Sequence, residues 1–236
     1  MTALWQPEAS RQYLTGQVMI ERRISPGLVA QSRRARDAPF SGTCFAATVA
    51  SWRHDGRPAV AADRDWIVGA LVEQWGSTTI ITRDRPCDAA ALEAFVAVDS
   101  SLDRPERVGL LTYRVDREGL EVVTIDALRA RSGIGAALLA RATQVARDAG
   151  ATRVWLITTN DNLRAIRFYE RRGFRIIAVH RGAVDRARML KPSIPLVAEN
   201  GIELHDELEL ELILALGPDA QVSADAHCCD VPPTVR

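Results

Sequence analysis

LEVVTIDALRARSGIGAALL, residues 120–139, contains the two transitions that decide the fold. Its first part is a run of apolar and β-branched residues that ends at Ile125 and reads as a buried strand. A turn over 126–132 follows, and Gly133-Ile134-Gly135 then opens a segment with helical spacing of apolar residues. Glycines at such a junction let another group approach the backbone closely. The first N–H groups of a helix are unpaired donors at the positive end of its dipole. A phosphate or pyrophosphate suits that place. The stretch is not a P-loop, because no Gly-Lys-Ser/Thr follows, and Leu138 stands where a dinucleotide fingerprint needs its third glycine.

Reading outward, the helix IGAALLARATQVARDAG carries Ile134, Leu138, Val145 and Ala149 on or near one face and stops at Gly150. RVWLIT (153–158) is a short apolar strand, DNLRAIRFYERRG a helix closed by Gly173, and FRIIAVH a strand. A proline-containing loop over 183–202 leads to the alternating strand ELELELIL. Upstream, ADRDWIVGALVEQWG reads as an amphipathic helix with Asp63 as its N-cap and a stop at Gly76. STTIIT, EAFVAV, RVGLLTYRV and LEVVTI follow as strands, the last two joined by a hairpin turn at DREG, and CFAATVASW (44–52) is a further strand. The order predicts a mixed α/β sheet with one parallel crossover. It also predicts an irregular arginine-rich extension over 1–42, an organised domain over 43–216 and a polar tail over 217–236.

The composition narrows the partners. Lys and Arg total 30 and Asp and Glu total 30, so net charge favours neither nucleic acid nor a membrane surface. QSRRAR (31–36) offers three arginines to an RNA, but such a segment is more often simply solvated. Of the 30 basic residues only Lys191 is a lysine. The four cysteines, Cys44, Cys87, Cys228 and Cys229, have no metal-ligand spacing, which predicts no metal site and no disulfide framework. No run is long and apolar enough for a membrane helix, and the first residues lack a signal-peptide pattern, so the expected compartment is the cytoplasm.

Downstream, Asn162, Ala165, Tyr169, Gly173 and Phe174 form N-x-x-A-x-x-x-Y-x-x-x-G-F. Asn162, Ala165 and Tyr169 fall along one helix face. Strand, glycine-led helix, strand and this second helix, in this order, resemble the GNAT acetyltransferase superfamily. WLITTNDNLRAIRFYERRGF, LKPSIP and DELELEL are similar to a bacterial subgroup of undefined substrate. The resemblance covers about 43–216 and implies an α/β (α+β) fold: a mostly antiparallel sheet with a parallel βαβ crossover and helices on both faces. It implies acetyl-CoA as co-substrate. The family's acyl-CoA loop reads Gln/Arg-x-x-Gly-x-Gly/Ala; Gly133 and Gly135 match its last two small positions, but Ala130 stands at the first. Arg129 and Arg131 flank it, and Arg131 is the candidate replacement charge.

The resemblance also implies site residues. Arg131, Ser132, Gly133, Ile134, Gly135 and Ala136 would hold the pyrophosphate. Val123 and Ile125 would line the thioester, with the Ile125 N–H facing its carbonyl oxygen, and Asn162 would bond the pantetheine arm. Tyr169 matches the general acid: a phenol with a pKa of about 10 stays protonated at neutral pH and can protonate a departing thiolate. A base is needed for an amine of pKa about 10.4. Glu121, on one face with Val123 and Ile125 by period-two counting, and Asp126 are the candidates. His180 and His205 read as structural. No cysteine lies in 120–174, so direct transfer is expected.

The acceptor is expected to be a small-molecule or peptide amine, and a second copy of the chain is an admissible partner. Other classes stay open: a non-catalytic acyl-CoA-binding regulatory domain, or an acetyltransferase directed at a protein or an aminoacyl-tRNA. Residues 199–211 carry Glu199, Glu203, Asp206, Glu207, Glu209 and Glu211 with no basic residue. They are either a solvated face or the edge of a cleft that draws in a cationic amine. Arg188 and Lys191 argue the other way, as sites for a substrate carboxylate.

Overall fold

Residues 19–20, 54–101, 104–129 and 132–214 are described by the structure, a computed structural model. Their elements run β1 (Met19–Ile20), β2 (His54–Pro58), α1 (Arg64–Trp75), β3 (Thr79–Thr82), β4 (Arg85–Asp88), β5 (Glu93–Asp99), β6 (Glu106–Asp116) and β7 (Gly119–Ala127). Then come α2 (Ile134–Asp148), β8 (Arg153–Thr159), α3 (Leu163–Glu170), β9 (Arg175–His180), α4 (Ala183–Leu190) and β10 (Glu207–Ile213). The expected strand at 44–52, the extension apart from Met19–Ile20, and the tail lie outside the described residues.

Hydrophobic alternation builds the sheet, in the order β2-β5-β6-β7-β8-β10-β9, with β1 also on β7. Only β7–β8 and the two-residue β1–β7 pairing are parallel; the rest are antiparallel. The crossover β7–α2–β8 is the expected βαβ unit. β3 and β4 form a separate two-stranded hairpin.

Two layers cover the sheet. On one face α2 and α3 bury Ile134, Leu138, Ala142, Ala146, Ala165 and Tyr169 against Leu120, Val122, Ile125 and Leu210. Burying each large side chain there contributes about 1.5–3 kcal/mol. α2 lies so close to β6 that a Cβ at Gly109 would stand 2.4 Å from Ile134 Cγ2. The buried stripe of α2 runs through Ala142 and Ala146, while Ala149 is exposed beyond the helix end. On the other face α1 packs Ile67, Leu71 and Trp75 against Val96, Leu110 and Val123. α4 forms a third cluster there with Ile81, Ile194 and Leu204.

Three expectations change. The 183–202 loop begins with a helix, α4, because Ala183, Val184 and Ala187 bury one side of it. Asp63 precedes α1 but does not cap it, since its carboxylate is taken by Arg57 (2.6 and 2.9 Å), Arg107 (2.8 Å) and the N–H of Val60 at the start of the preceding turn (2.9 Å). Val68 and Val72 are exposed, so the apolar stripe of α1 is narrower than the sequence pattern.

Candidate active site

The sheet opens where β7 leaves β8. The two strands pair only over Leu120–Val122 and Val154–Leu156, while β8 stays paired with β10 as far as Thr159. Among the described residues, no strand pairs with Val123–Ile125 on the side facing away from β6. A wedge therefore separates Val123 and Ile125 from Ile157 and Thr159.

At the wedge's end on the α2–α3 face lies the start of α2. Gly133 takes φ +81°, a left-handed conformation that favours glycine, and its carbonyl accepts from the N–H of Ala136 at 3.0 Å. Ser132 Oγ donates to the Arg129 carbonyl at 2.7 Å. A Cβ on Gly135 would stand 3.4 Å from Phe168 Cζ, so this turn lies against α3. Arg129 is committed to Asp99 and Glu106 through its two terminal nitrogens and is not a spare charge for the loop. Ala130 and Arg131 lie outside the described residues.

Asn162 caps α3, its Oδ1 accepting from the Ala165 N–H at 3.0 Å. Its Nδ2 is buried without a hydrogen-bond partner, as is Thr158 Oγ1 on β8. Two turns on, Tyr169 is 2% exposed, in contact with the rings of Phe168 and Phe174. Burial raises its pKa well above the ordinary phenol value, and the charge of Asp126 raises it further.

The two candidate bases differ. The β6–β7 register shifts between Thr112 and Tyr113, leaving Val123 as the extra residue of a bulge. Period-two counting fails there: Val123 packs with α1, whereas Ile125 joins the α2 cluster on the other face. Asp126 consequently faces α1. Trp75 Nε1 donates to its Oδ2 at 2.9 Å, and its Oδ1 is buried without a partner. Burial pushes its pKa up to about 7, against the lowering effect of the indole hydrogen bond. Glu121 is buried too, but the Arg114 guanidinium holds one of its oxygens at 2.5 Å. Burial raises its pKa despite that partner.

Around this face stands a group that motif reading did not assemble. The Trp155 ring lies under the Arg83 guanidinium, 4.3 Å from the ring centre. Arg83 sits at the tip of the β3–β4 hairpin, bonds Glu118 at 3.0 Å, and donates its backbone N–H to Glu207 Oε2 at 2.8 Å. Glu209 takes His180 at 3.0 Å, and Glu211 takes Arg153 at 2.9 Å. His205 pairs with Asp206 at 2.9 Å. Lys191 Nζ donates to the carbonyl of Trp75 at 2.9 Å, and Arg188 to those of Ile194, Pro195 and Leu204, so both serve the loop rather than a ligand. Glu207 was visible in the sequence only as one of six acidic residues. Trp75 carried no signal beyond its helix stripe.

The chain is similar in sequence to a known family and to two bacterial proteins. The model of the "Acetyltransferase (GNAT) family" matches residues 60–174. The uncharacterized protein YdhI of Bacillus subtilis (strain 168) is 40% identical over 138 residues, 58% of this chain and 84% of its own length. YxbD of the same organism, also uncharacterized, is 33% identical over 153 residues, 65% of this chain and 94% of its own. A crystal structure of a Bacillus subtilis acetyltransferase in complex with CoA is 25% identical with a TM-score of 0.45, covering 52% of this chain and 78% of that one. Among the described residues, no helix is long and apolar enough to cross a membrane.

Proposed function

The chain belongs to the acetyltransferase (GNAT) family and is an acyltransferase; from that premise we propose that it moves an acetyl group from acetyl-CoA directly to a primary amine, with Asp126 as base and Tyr169 as acid. The observation that carries the reading is the pair at the wedge. Asp126 reaches it from the α1 face with one unpartnered oxygen, and Tyr169 from the α3 face, near enough for the aspartate's charge to act on the phenol. Attack on a thioester needs a base where the amine enters and an acid where the thiolate leaves, and these two residues approach from opposite faces.

The residues at the wedge fit an acyl-CoA. Asn162 Nδ2 and Thr158 Oγ1, buried and unpartnered, are polar atoms that an amide-bearing arm satisfies. Ser132 to Gly135 offer N–H groups to the pyrophosphate, while the Ala136 N–H is already taken by the Gly133 carbonyl. Acetyl-CoA supplies the acetyl group as a thioester. The Ile125 N–H faces its carbonyl oxygen, where negative charge develops. Asp126, with a pKa of about 7, is about half ionised at neutral pH, and its ionised form takes the proton of the incoming ammonium. Tyr169, kept protonated by burial, donates to the sulfur.

Glu121 also keeps one buried oxygen without a partner, but it is the weaker base, because the Arg114 guanidinium on its other oxygen stabilises the charge that a base must give up. The Cys87 thiol is pushed up by burial, which disfavours a thiolate and an acetyl-cysteine route. A cytoplasmic enzyme follows from the same reading. Thiol release from acetyl-CoA with a panel of amines tests it: amine-dependent release that falls in both Asp126→Asn and Tyr169→Phe is expected.

A further inference from the structure

Arg172 is the second arginine of YERRGF (169–174), just past the end of α3. Its side chain turns back one helical turn and covers the Phe168 ring, with the guanidinium 3.7 Å from the ring centre. Its Nη1 donates to the Phe168 carbonyl at 2.7 Å. Among the described residues, no carboxylate pairs with it.

That sets it apart. Every other partly buried arginine among the described residues has a carboxylate. Arg57 and Arg107 share Asp63, while Arg83, Arg114, Arg129, Arg153 and Arg188 take Glu118, Glu121, Asp99, Glu211 and Asp185. Burial lowers the pKa of Arg172, and the nearby charge of Arg171 acts in the same direction. A guanidinium keeps its charge all the same. Arg172 is thus a fixed cation, partly withdrawn from water, with one carbonyl and the face of one ring to offset the cost.

The same ring leads to the start of α2. A Cβ on Gly135 would meet Phe168 Cζ at 3.4 Å and Cε2 at 3.6 Å, so the ring's outer edge lies on this turn while its face carries the guanidinium. The breadth of one ring separates Arg172 from the turn at Ser132 to Gly135. That turn is short of positive charge. Ala130 stands where the family's loop has Gln or Arg, and Arg129 is bound to Asp99 and Glu106.

Resting on the reading of acetyl-CoA as co-substrate, we propose that Arg172 holds a phosphate group of the CoA moiety, a cation brought from the end of α3 to a loop that has lost its own polar side chain. A guanidinium edge presents parallel N–H groups to two phosphate oxygens. Stacking on Phe168 fixes its plane in advance, so little side-chain freedom is lost on binding. The pyrophosphate and the 3′-phosphate offer it the same chemistry.

Calorimetry of CoA binding to the full chain compares the wild type with Arg172→Gln and Arg172→Lys at low and high salt. Binding is the readout, because the charge of Arg172 also acts on the Tyr169 phenol and would alter turnover. Gln keeps a donor for the Phe168 carbonyl and removes the charge. It should weaken CoA about tenfold or more at low salt and much less at high salt, where a charge contact is screened. Lys restores the charge and should recover most of the loss. With 3′-dephospho-CoA, a loss that vanishes puts Arg172 on the 3′-phosphate, and a loss that persists puts it on the pyrophosphate. Unchanged CoA affinity in Arg172→Gln, or a loss equal at both salt concentrations and not recovered by Lys, overturns the proposal and leaves Arg172 a packing partner of Phe168. A wild type that binds no CoA would refute the co-substrate reading itself, whereas CoA binding indifferent to residue 172 refutes this inference alone.

Discussion

Trp75, the last residue of α1, donates its indole N–H to Asp126 Oδ2 at 2.9 Å across 51 residues of sequence, and leaves Asp126 Oδ1 with no partner among the described residues. This contact fixes the aspartate's orientation and half-satisfies its charge. It is the basis of the account of the base.

A base must be ionised, so kcat/KM should rise with pH through about 7, the value to which burial pushes Asp126. Trp75→Phe removes a donor that favours the ionised form, and the inflection should move to higher pH. A stopped series of initial rates from pH 5.5 to about 9 checks both. An inflection that stays put or moves down would detach Asp126 from the rate.

The same residue sets a stability trade. The folded pKa of Asp126 lies above its unfolded value of about 3.9, so the native state holds more protons between the two, and stability falls as pH rises from about 4 to 7. Asp126→Asn, which cannot ionise, should melt higher than the wild type at pH 8 while losing activity by about 10²–10⁴-fold. Thermal melts at pH 5 and about 8 on both proteins measure it.

Tyr169→Phe keeps the packing on Phe168 and Phe174 and removes only the hydroxyl. We expect kcat to fall about 10²–10⁴-fold with acetyl-CoA affinity nearly unchanged. A loss below about threefold would return Tyr169 to a packing role.

Gly135→Asp brings a carboxylate to the first turn of α2. Its Cβ meets Phe168 at 3.4 Å, an ordinary contact, so the fold should persist. Acetyl-CoA affinity should fall about tenfold or more through charge repulsion at the pyrophosphate. Unchanged affinity in calorimetry would take this turn out of the site.

Asp63 is fully buried between Arg57 and Arg107, and the Arg57 hydrogen bond draws its pKa well below the carboxylate range. Both arginines are more than a third exposed, which weakens the pairs by solvent screening. Asp63→Asn should therefore cost about 2 kcal/mol at pH 7 in denaturant melts. The wild type's advantage should be present above about pH 4 and drain away as pH falls further.

What the sequence disclosed followed from period and punctuation. The α2 helix and the strands on either side of it are local patterns, and the structure has them where they were expected. α4 was hidden because eight residues of weak pattern precede two prolines in a segment that reads as loop. β4 includes Pro86, which demotes a strand reading. The facing of Asp126 was illegible because a bulge at Val123 resets the alternation, and a bulge leaves no mark in a run of apolar residues. Glu207 stood among six acidic residues, and only the placement of Arg83, Arg153 and His180 distinguishes it from Glu209 and Glu211.

The central claim is that an amine is acetylated at a site where Asp126 and Tyr169 act together. The most direct test is mass spectrometry of a panel of primary amines incubated with acetyl-CoA and the full chain, with free thiol followed in parallel. The account predicts an acetylated amine in step with thiol release for the wild type, and neither above background for the Asp126→Asn, Tyr169→Phe double variant. Thiol release without an acetylated amine, or a double variant as active as the wild type, would contradict it.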